Sequence, residues 1–381
     1  MRKHSKEGFV KKEDGAVPVA VLCYPTPGGS GRVASDLAGC LVEEGYEVHL
    51  LGVRKPGGLR PGVAFHPITM RGDPLLQGRP YDLALAARLA ELHEQRGVRI
   101  VHAHYALPHA LSALLADLCV GGALRTVTTL HGTDITLVGS DPAYHRMVRL
   151  GLDRSTRLTA VSRSLAEETR RIFGEHLEIE VLPNFLPPWR FPVRGGPRPF
   201  PWKRTKQPVL VHLSTFRSVK RVRDLVLALK LIRREVEISA VLVGEGPDRR
   251  GAEELVSTLG LNPFVRFAGA LEDPSKELEG GDLYVFSSRT ESFGLGLLEA
   301  MSHGLPVVGP KVGGVSEVVG DAGILVPPAR PMALAGAVLK LLRDCGLYES
   351  CSRRAFDRAR TLFSRERVLP RWLDLFEGLG E

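Results

Sequence analysis

Two carboxylates, Glu291 and Glu299, bracket the segment Glu291-Ser-Phe-Gly-Leu-Gly-Leu-Leu-Glu299. The apolar run that follows opens a helix continuing through Ala300 and Met301, so Glu299 lies within it and Glu291 on the loop before it. Carboxylates placed this way can accept hydrogen bonds from different hydroxyls of one extended, sugar-bearing ligand. The backbone N–H groups of Phe293, Gly294 and Leu295 line the helix start, where hydroxyl or phosphate oxygens can meet them. Capping of the helix by Glu291 or Ser292 is the plainer alternative. A second segment, Thr215-Phe216-Arg217-Ser218-Val219-Lys220-Arg221, comes directly after an apolar strand. Cations fixed at a strand end can stabilise the charge that develops on a departing diphosphate. A solvated basic loop is the alternative there.

The first half of the chain carries its own polar clusters. Pro25-Thr26-Pro27-Gly28-Gly29-Ser30-Gly31 joins a strand to a helix. Its glycines allow backbone N–H groups to approach an anion, although the spacing is neither G-x-G-x-x-G nor a Walker loop, and a plain tight turn fits as well. His102-Ala-His104-Tyr105-Ala-Leu-Pro-His109 and Thr128-Thr129-Leu130-His131-Gly132-Thr133-Asp134 both lie just past strand ends. The histidines invite a metal reading completed by Asp134. His102 and His104 share one strand face, however, and read equally as buried or paired. Recognition of a small polar ligand by Tyr105, Thr129 and His131 is the favoured reading, with no metal expected. Arg149, on a following helix, can pair with a carboxylate in fork geometry or be an ordinary surface arginine.

Alternating strands and helices must position these segments. Strands are expected at Val17–Cys23, Val48–Val53, Arg99–Ala103, Leu124–Leu130 and Leu158–Val161, with helices over Arg32–Glu44 and Asp82–Gln95 between them. The alternation restarts with Val209–Ser214, Ile238–Val243 (ending in Gly244-Glu245-Gly246-Pro247), Val265–Ala268, Leu283–Ser287, Pro306–Val308 and Ile324–Val326. Such repeats build parallel sheets covered by helices on both faces. The fold class is therefore α/β, with two Rossmann-like doubly wound lobes facing a central cleft. The expected organisation is a flexible basic tail over 1–16, a first Rossmann-like lobe over 17–186 and a second over 209–365. A Pro- and Arg-rich linker over 187–208 joins the lobes, its charges reading as solvation of an exposed segment, and 366–381 forms a helix packing back on the first lobe. Ligands of open α/β sheets sit beyond the carboxyl ends of the strands, so the cleft is the expected site.

Composition narrows the class. At 381 residues the chain is long enough for two domains, and its 44% hydrophobic and 25% charged residues exclude disorder or a fibrous repeat. The net charge of +8 suits an anionic ligand, but the arginines are scattered and do not form the patch expected of a nucleic-acid binder. Five cysteines, an odd number without C-x-x-C, fit a reducing cytoplasm better than a disulfide framework. No apolar run reaches membrane-spanning length, so no membrane association is expected.

With Glu-x7-Glu in its second half, the chain resembles the family 4 glycosyltransferases of the two-lobe GT-B type over nearly its whole length from Val17. More narrowly, Cys23–Gly31, His102–Ala110, Thr129–Thr136, Gly139–Asp141, Thr159–Ser162 and Phe216–Arg221 are similar to one subfamily. Its members transfer N-acetylglucosamine from UDP-GlcNAc to the hydroxyl of L-malate with retention of the α anomer, in the first step of bacillithiol biosynthesis. The resemblance implies that Glu299 holds the donor ribose and Glu291 the hydroxyls of the GlcNAc ring. Arg217 and Lys220 would bind the diphosphate, assisted by Gly28 and Gly29, with His131 beside the reacting carbon and Glu245 in the donor-binding set. Ser30, Tyr105, Thr129, Arg149 and Asn184 would meet malate's carboxylates. The implied enzyme is metal-independent, without cofactors, cytoplasmic, with small-molecule substrates only, and a homodimer is left open. Thr215 and Gly296 depart from the family pattern, where Asn and a bulkier residue are expected. Two other functions remain open: a related transferase with a lipid or polysaccharide acceptor, and a nucleotide-sugar epimerase or binding protein of similar fold.

Overall fold

The computed structural model describes residues 17–24, 29–70, 80–193, 195–205 and 207–379. The basic tail and Gly28 lie outside them. Seven strands form the first sheet: β1 (Pro18–Leu22), β2 (Glu47–Gly52), β3 (Ala64–Pro67), β4 (Ile100–His104), β5 (Arg125–Leu130), β6 (Arg157–Ala160) and β7 (Ile179–Val181). Six form the second: β8 (Val209–Leu213), β9 (Ser239–Val243), β10 (Val265–Gly269), β11 (Leu283–Val285), β12 (Val307–Pro310) and β13 (Gly323–Val326). The orders are β3-β2-β1-β4-β5-β6-β7 and β10-β9-β8-β11-β12-β13, and every pairing is parallel. These are two Rossmann-like lobes. The central strands read as continuous apolar runs because helices cover both sheet faces; Val19, Ala20, Val21 and Leu22 are all buried.

Strand order reverses direction beside β1 in the first sheet and beside β8 in the second. Such switch points open a crevice at the carboxyl ends of adjacent strands. Ser30 opens the helix that follows β1, and the loops leaving β4, β8 and β11 carry Tyr105, Lys220 and Glu291. The topology therefore delivers all four to the mouths of the two sheets.

The chain crosses between lobes twice, side by side: Leu186 N–H donates to the Phe363 carbonyl at 2.8 Å. The helix Arg365–Glu377 then returns to the first lobe, burying Val368, Leu369, Trp372 and Phe376 against Val19, Val21 and Leu37.

The segment 187–208 does not match the expectation of a solvated linker. Trp189, Arg190, Arg198, Trp202 and Arg204 are bonded along both lobes. Arg190 Nε donates to the Asp36 carboxylate at 3.2 and 3.3 Å, and Trp189 Nε1 donates to Asp36 Oδ1 at 3.1 Å. Arg198 donates to the His303 and Leu278 carbonyls at 2.9 and 3.1 Å. Trp202 Nε1 reaches the Leu342 carbonyl at 2.6 Å, and Arg204 pairs with buried Asp282. The prolines limit regular structure here to two short 3-10 turns, Pro188–Arg190 and Pro201–Lys203, and side chains supply most of the fastening.

The lobes also grip each other by a helix cap supplied in trans. Glu317 accepts from the Arg163 and Ser164 N–H groups, each at 2.9 Å, at the start of the helix Arg163–Phe173 in the opposite lobe. A carboxylate there satisfies otherwise orphaned donors and complements the helix dipole. Glu317→Ala is expected to lower stability by about 1 kcal/mol, read as a reduced urea midpoint; an unchanged midpoint would show the cap to be energetically neutral.

Candidate active site

Two loops of the second lobe are stitched into one wall. Ser287 Oγ donates to the carbonyls of Lys220 and Arg221 at 2.9 and 3.0 Å, and Arg289 N–H donates to the Val219 carbonyl at 2.7 Å. This holds the cationic loop against the loop carrying Glu291. Lys220 Nζ lies 2.5 Å from Glu291 Oε2, and both side chains are mostly buried. Arg217 is exposed on the same loop and makes no ion pair among the described residues. The helix Leu295–Ser302 starts beside them, with Gly294 at φ 90° as its N-cap. Among the described residues the N–H groups of Phe293, Gly294 and Leu295 donate no hydrogen bond, which leaves them available to an oxygen ligand. Phe293's side chain is buried and packs edge-on against Phe363. Gly296 has a physical reason: a Cβ there would sit 3.0 Å from the Tyr284 hydroxyl and 3.3 Å from Leu213. The helix start is thus pressed onto the end of β8.

The facing wall comes from the first lobe. Ser30 Oγ and the Tyr105 hydroxyl share a 2.6 Å hydrogen bond. Burial raises the Tyr105 pKa, while its bond to Ser30 and the positive charge of Arg217 pull the other way. Arg217, on the opposite lobe, is near enough for its charge to be felt at Tyr105. The His131 ring lies tilted against Tyr105, 5.0 Å between centres, and shares a 2.9 Å hydrogen bond, Nε2 to Nδ1, with His104. Burial lowers the His131 pKa to about 3, so the imidazole is neutral. The lobes meet at Gly132, where a Cβ would collide with Ser292 of the loop between the two glutamates. Gly29, at φ 59°, caps the first helix (Ser30–Glu43) at this mouth.

Asp134 organises this wall. Its Oδ2 accepts from Ala106 N–H at 3.1 Å, and its Oδ1 accepts from the Gly132 and His131 N–H groups at 2.9 and 3.3 Å. Burial pushes its carboxyl up to about 6 despite these bonds. The aspartate considered as a metal ligand is committed to backbone. Among the described residues no group of three His, Cys, Asp or Glu side chains is arranged to hold a metal ion.

The structure places the other candidate residues as follows. Thr129 is turned into the sheet, 1% exposed, its hydroxyl bonded to His102 Nε2 at 2.7 Å and Thr159 Oγ1 at 2.8 Å. Two buried partners leave a hydroxyl at most one further bond, which is what a carboxylate would have to use. Arg149 is exposed and lies 3.5 Å from Asp153 on its own helix. Glu245, also exposed, pairs with Arg249. Asn184 is buried on the loop after β7. The structure also brings in a residue the sequence did not single out: Arg32 Nη1 lies 2.7 Å from Glu299 Oε1, across the cleft. Nothing in the local sequence distinguishes Arg32 from a surface arginine on an amphipathic helix.

Comparison with known proteins agrees with this architecture. Residues 27–190 match the family described as Glycosyltransferase Family 4, and residues 207–344 match Glycosyl transferases group 1. N-acetyl-alpha-D-glucosaminyl L-malate synthase of Bacillus anthracis is 36% identical over 94% of this chain and 96% of its own length. The chain belongs to the family 4 glycosyltransferases. This glycosyltransferase is also 27% identical to the lipopolysaccharide core biosynthesis glycosyltransferase LpsD of Rhizobium meliloti, over 93% of the chain and 96% of that protein. Its fold matches Anabaena HepE, solved with UDP and glucose, at a TM-score of 0.79 and 19% identity, over 94% of this chain and 99% of that one. The two-lobe architecture is GT-B, and the enzyme is a nucleotide-sugar-dependent hexosyltransferase. Among the described residues no helix is long and apolar enough to cross a membrane.

Proposed function

We propose that this glycosyltransferase transfers N-acetylglucosamine from UDP-GlcNAc to the hydroxyl of L-malate with retention, the first step of bacillithiol biosynthesis. The observation that carries the reading is the 36% identity to the malate synthase of B. anthracis across 94% of the chain. The geometry supports it. A cationic loop on one lobe and a neutral histidine beside a serine–tyrosine pair on the other, with the lobes touching at Gly132 and Ser292, suit a sugar diphosphate and a compact polar acceptor.

In this mechanism the donor diphosphate lies against Arg217 and Lys220, and the N–H groups at the start of the helix Leu295–Ser302 take further oxygens. Glu291 exchanges its contact with Lys220 for hydroxyls of the sugar ring, freeing the ammonium for phosphate. The C1–O bond breaks with oxocarbenium character while malate's hydroxyl approaches the same face, and the departing phosphate oxygen takes the acceptor proton. Fixed cations stabilise the charge on the leaving group as it forms. Neutral His131 adds no positive charge beside the cationic sugar carbon, which would oppose that step. Ser30 and Tyr105 offer hydroxyls to a malate carboxylate, with Arg217's field on the same side.

The test is UDP release from UDP-GlcNAc with and without L-malate, with the product's mass recorded. Release that requires malate and yields a GlcNAc–malate adduct, unaffected by EDTA, is expected. Release indifferent to malate, or transfer only to a lipid or saccharide acceptor, would replace malate with another acceptor.

A further inference from the structure

The contact between Arg32 and Glu299 joins the lobes at the donor side of the cleft. Both side chains are about nine-tenths buried, 10% and 7% exposed. The approach is close but not directed as a hydrogen bond: Arg32 Nε and Glu299 Oε1 are buried without a hydrogen-bond partner among the described residues. Buried polar atoms are nearly always satisfied, and buried charges are costly unless their remaining donors and acceptors are met. The two unmet atoms are complementary, an N–H lacking an acceptor and a carboxylate oxygen lacking a donor. A hydroxyl group supplies both at once.

The surroundings leave Glu299 dependent on this one arginine. Burial raises its pKa, and Arg32 is the strongest opposing influence, ahead of Arg190; Asp36 and Asp273 push it further up. Arg190 is already bonded to Asp36, so its charge is largely spoken for.

We propose that Arg32 is a positioning residue of the sugar-nucleotide site, reaching from the opposite lobe to hold Glu299 ionised and aligned for ligand hydroxyls, with its own Nε–H left to take a hydroxyl oxygen. The proposal rests on the reading of Glu299 as a carboxylate that binds the donor ribose. It makes that subsite complete only when the lobes are together, so nucleotide binding and lobe approach become one coupled equilibrium.

Calorimetric titration of UDP into wild type, Arg32→Met, Arg32→Lys and Glu299→Gln between pH 6 and 9 tests it. Wild type should bind with little pH dependence. Arg32→Met should bind about tenfold more weakly at pH 7, the loss typical of one hydrogen bond to a charged group, and regain affinity as pH rises. Arg32→Lys retains the charge and should keep the flat profile, which carries the test if the Met variant does not fold. Wild-type affinity in Arg32→Met, equal weakness at every pH, or a steep profile in Arg32→Lys would overturn the proposal. Unchanged affinity in Glu299→Gln would instead overturn the ribose reading beneath it. Malate takes no part in the titration, so an error in the acceptor leaves the result unaffected.

Discussion

Arg217→Ala is expected to lower kcat by roughly 10²–10³-fold, the loss typical of removing one preorganised group that stabilises developing negative charge. Lys220 already has a carboxylate partner, Glu291 at 2.5 Å, whereas Arg217 has no ion pair among the described residues. Its charge is thus the one available to the diphosphate without a prior exchange. Because that charge is needed most as the C1–O bond breaks, kcat and kcat/KM should fall together, with KM for UDP-GlcNAc changing less. Steady-state kinetics on a variant with wild-type thermal unfolding checks this. Near-normal turnover would remove Arg217 from the mechanism.

The second large effect is acid lability. His102, His109 and His212 are buried, and burial lowers their pKa values to about 3, 4 and 4. In the unfolded chain each titrates near 6.5. Between the folded and unfolded values the unfolded state binds more protons, so stability is complete above about pH 6.5 and declines as pH falls. At pH 5 each histidine costs about 2 kcal/mol, or about 6 kcal/mol together. Asp134 works in the opposite sense. Its raised carboxyl binds a proton more readily when folded, which offsets part of the loss as pH falls through 6. The net loss is comparable to the whole stability of an ordinary domain. Urea midpoints measured from pH 8 to pH 5 should therefore fall steeply below about 6.5. A flat profile would mean that these rings are hydrated or relax on protonation.

Much of the architecture could be read from the chain because its signals are local. Apolar strand-length runs separated by amphipathic stretches announce a parallel sheet, and the segments carrying Lys220, Glu291 and His131 sit immediately after such runs. The short strands Ala64–Pro67 and Ile179–Val181 left no comparable signal; the first is half-exposed and ends in proline. The segment 187–208 misled because proline density reports what the backbone cannot do, not where Trp189, Arg198 and Trp202 find partners. The partners of Thr129, His102 and Thr159, were illegible for a related reason. In a strand covered on both faces, alternation does not tell which threonine points toward the cleft and which into the sheet. Arg32 is the clearest case. Its importance lies in a contact with a residue 267 positions away, and no local pattern encodes such a pairing.

The most direct test is a crystal structure of the enzyme grown with UDP and L-malate. The account predicts the diphosphate within hydrogen-bonding reach of Arg217 and Lys220, the ribose on Glu299, and malate beside Ser30 and Tyr105. Nucleotide bound away from these cations, or malate absent from the cleft while UDP occupies it, would contradict it.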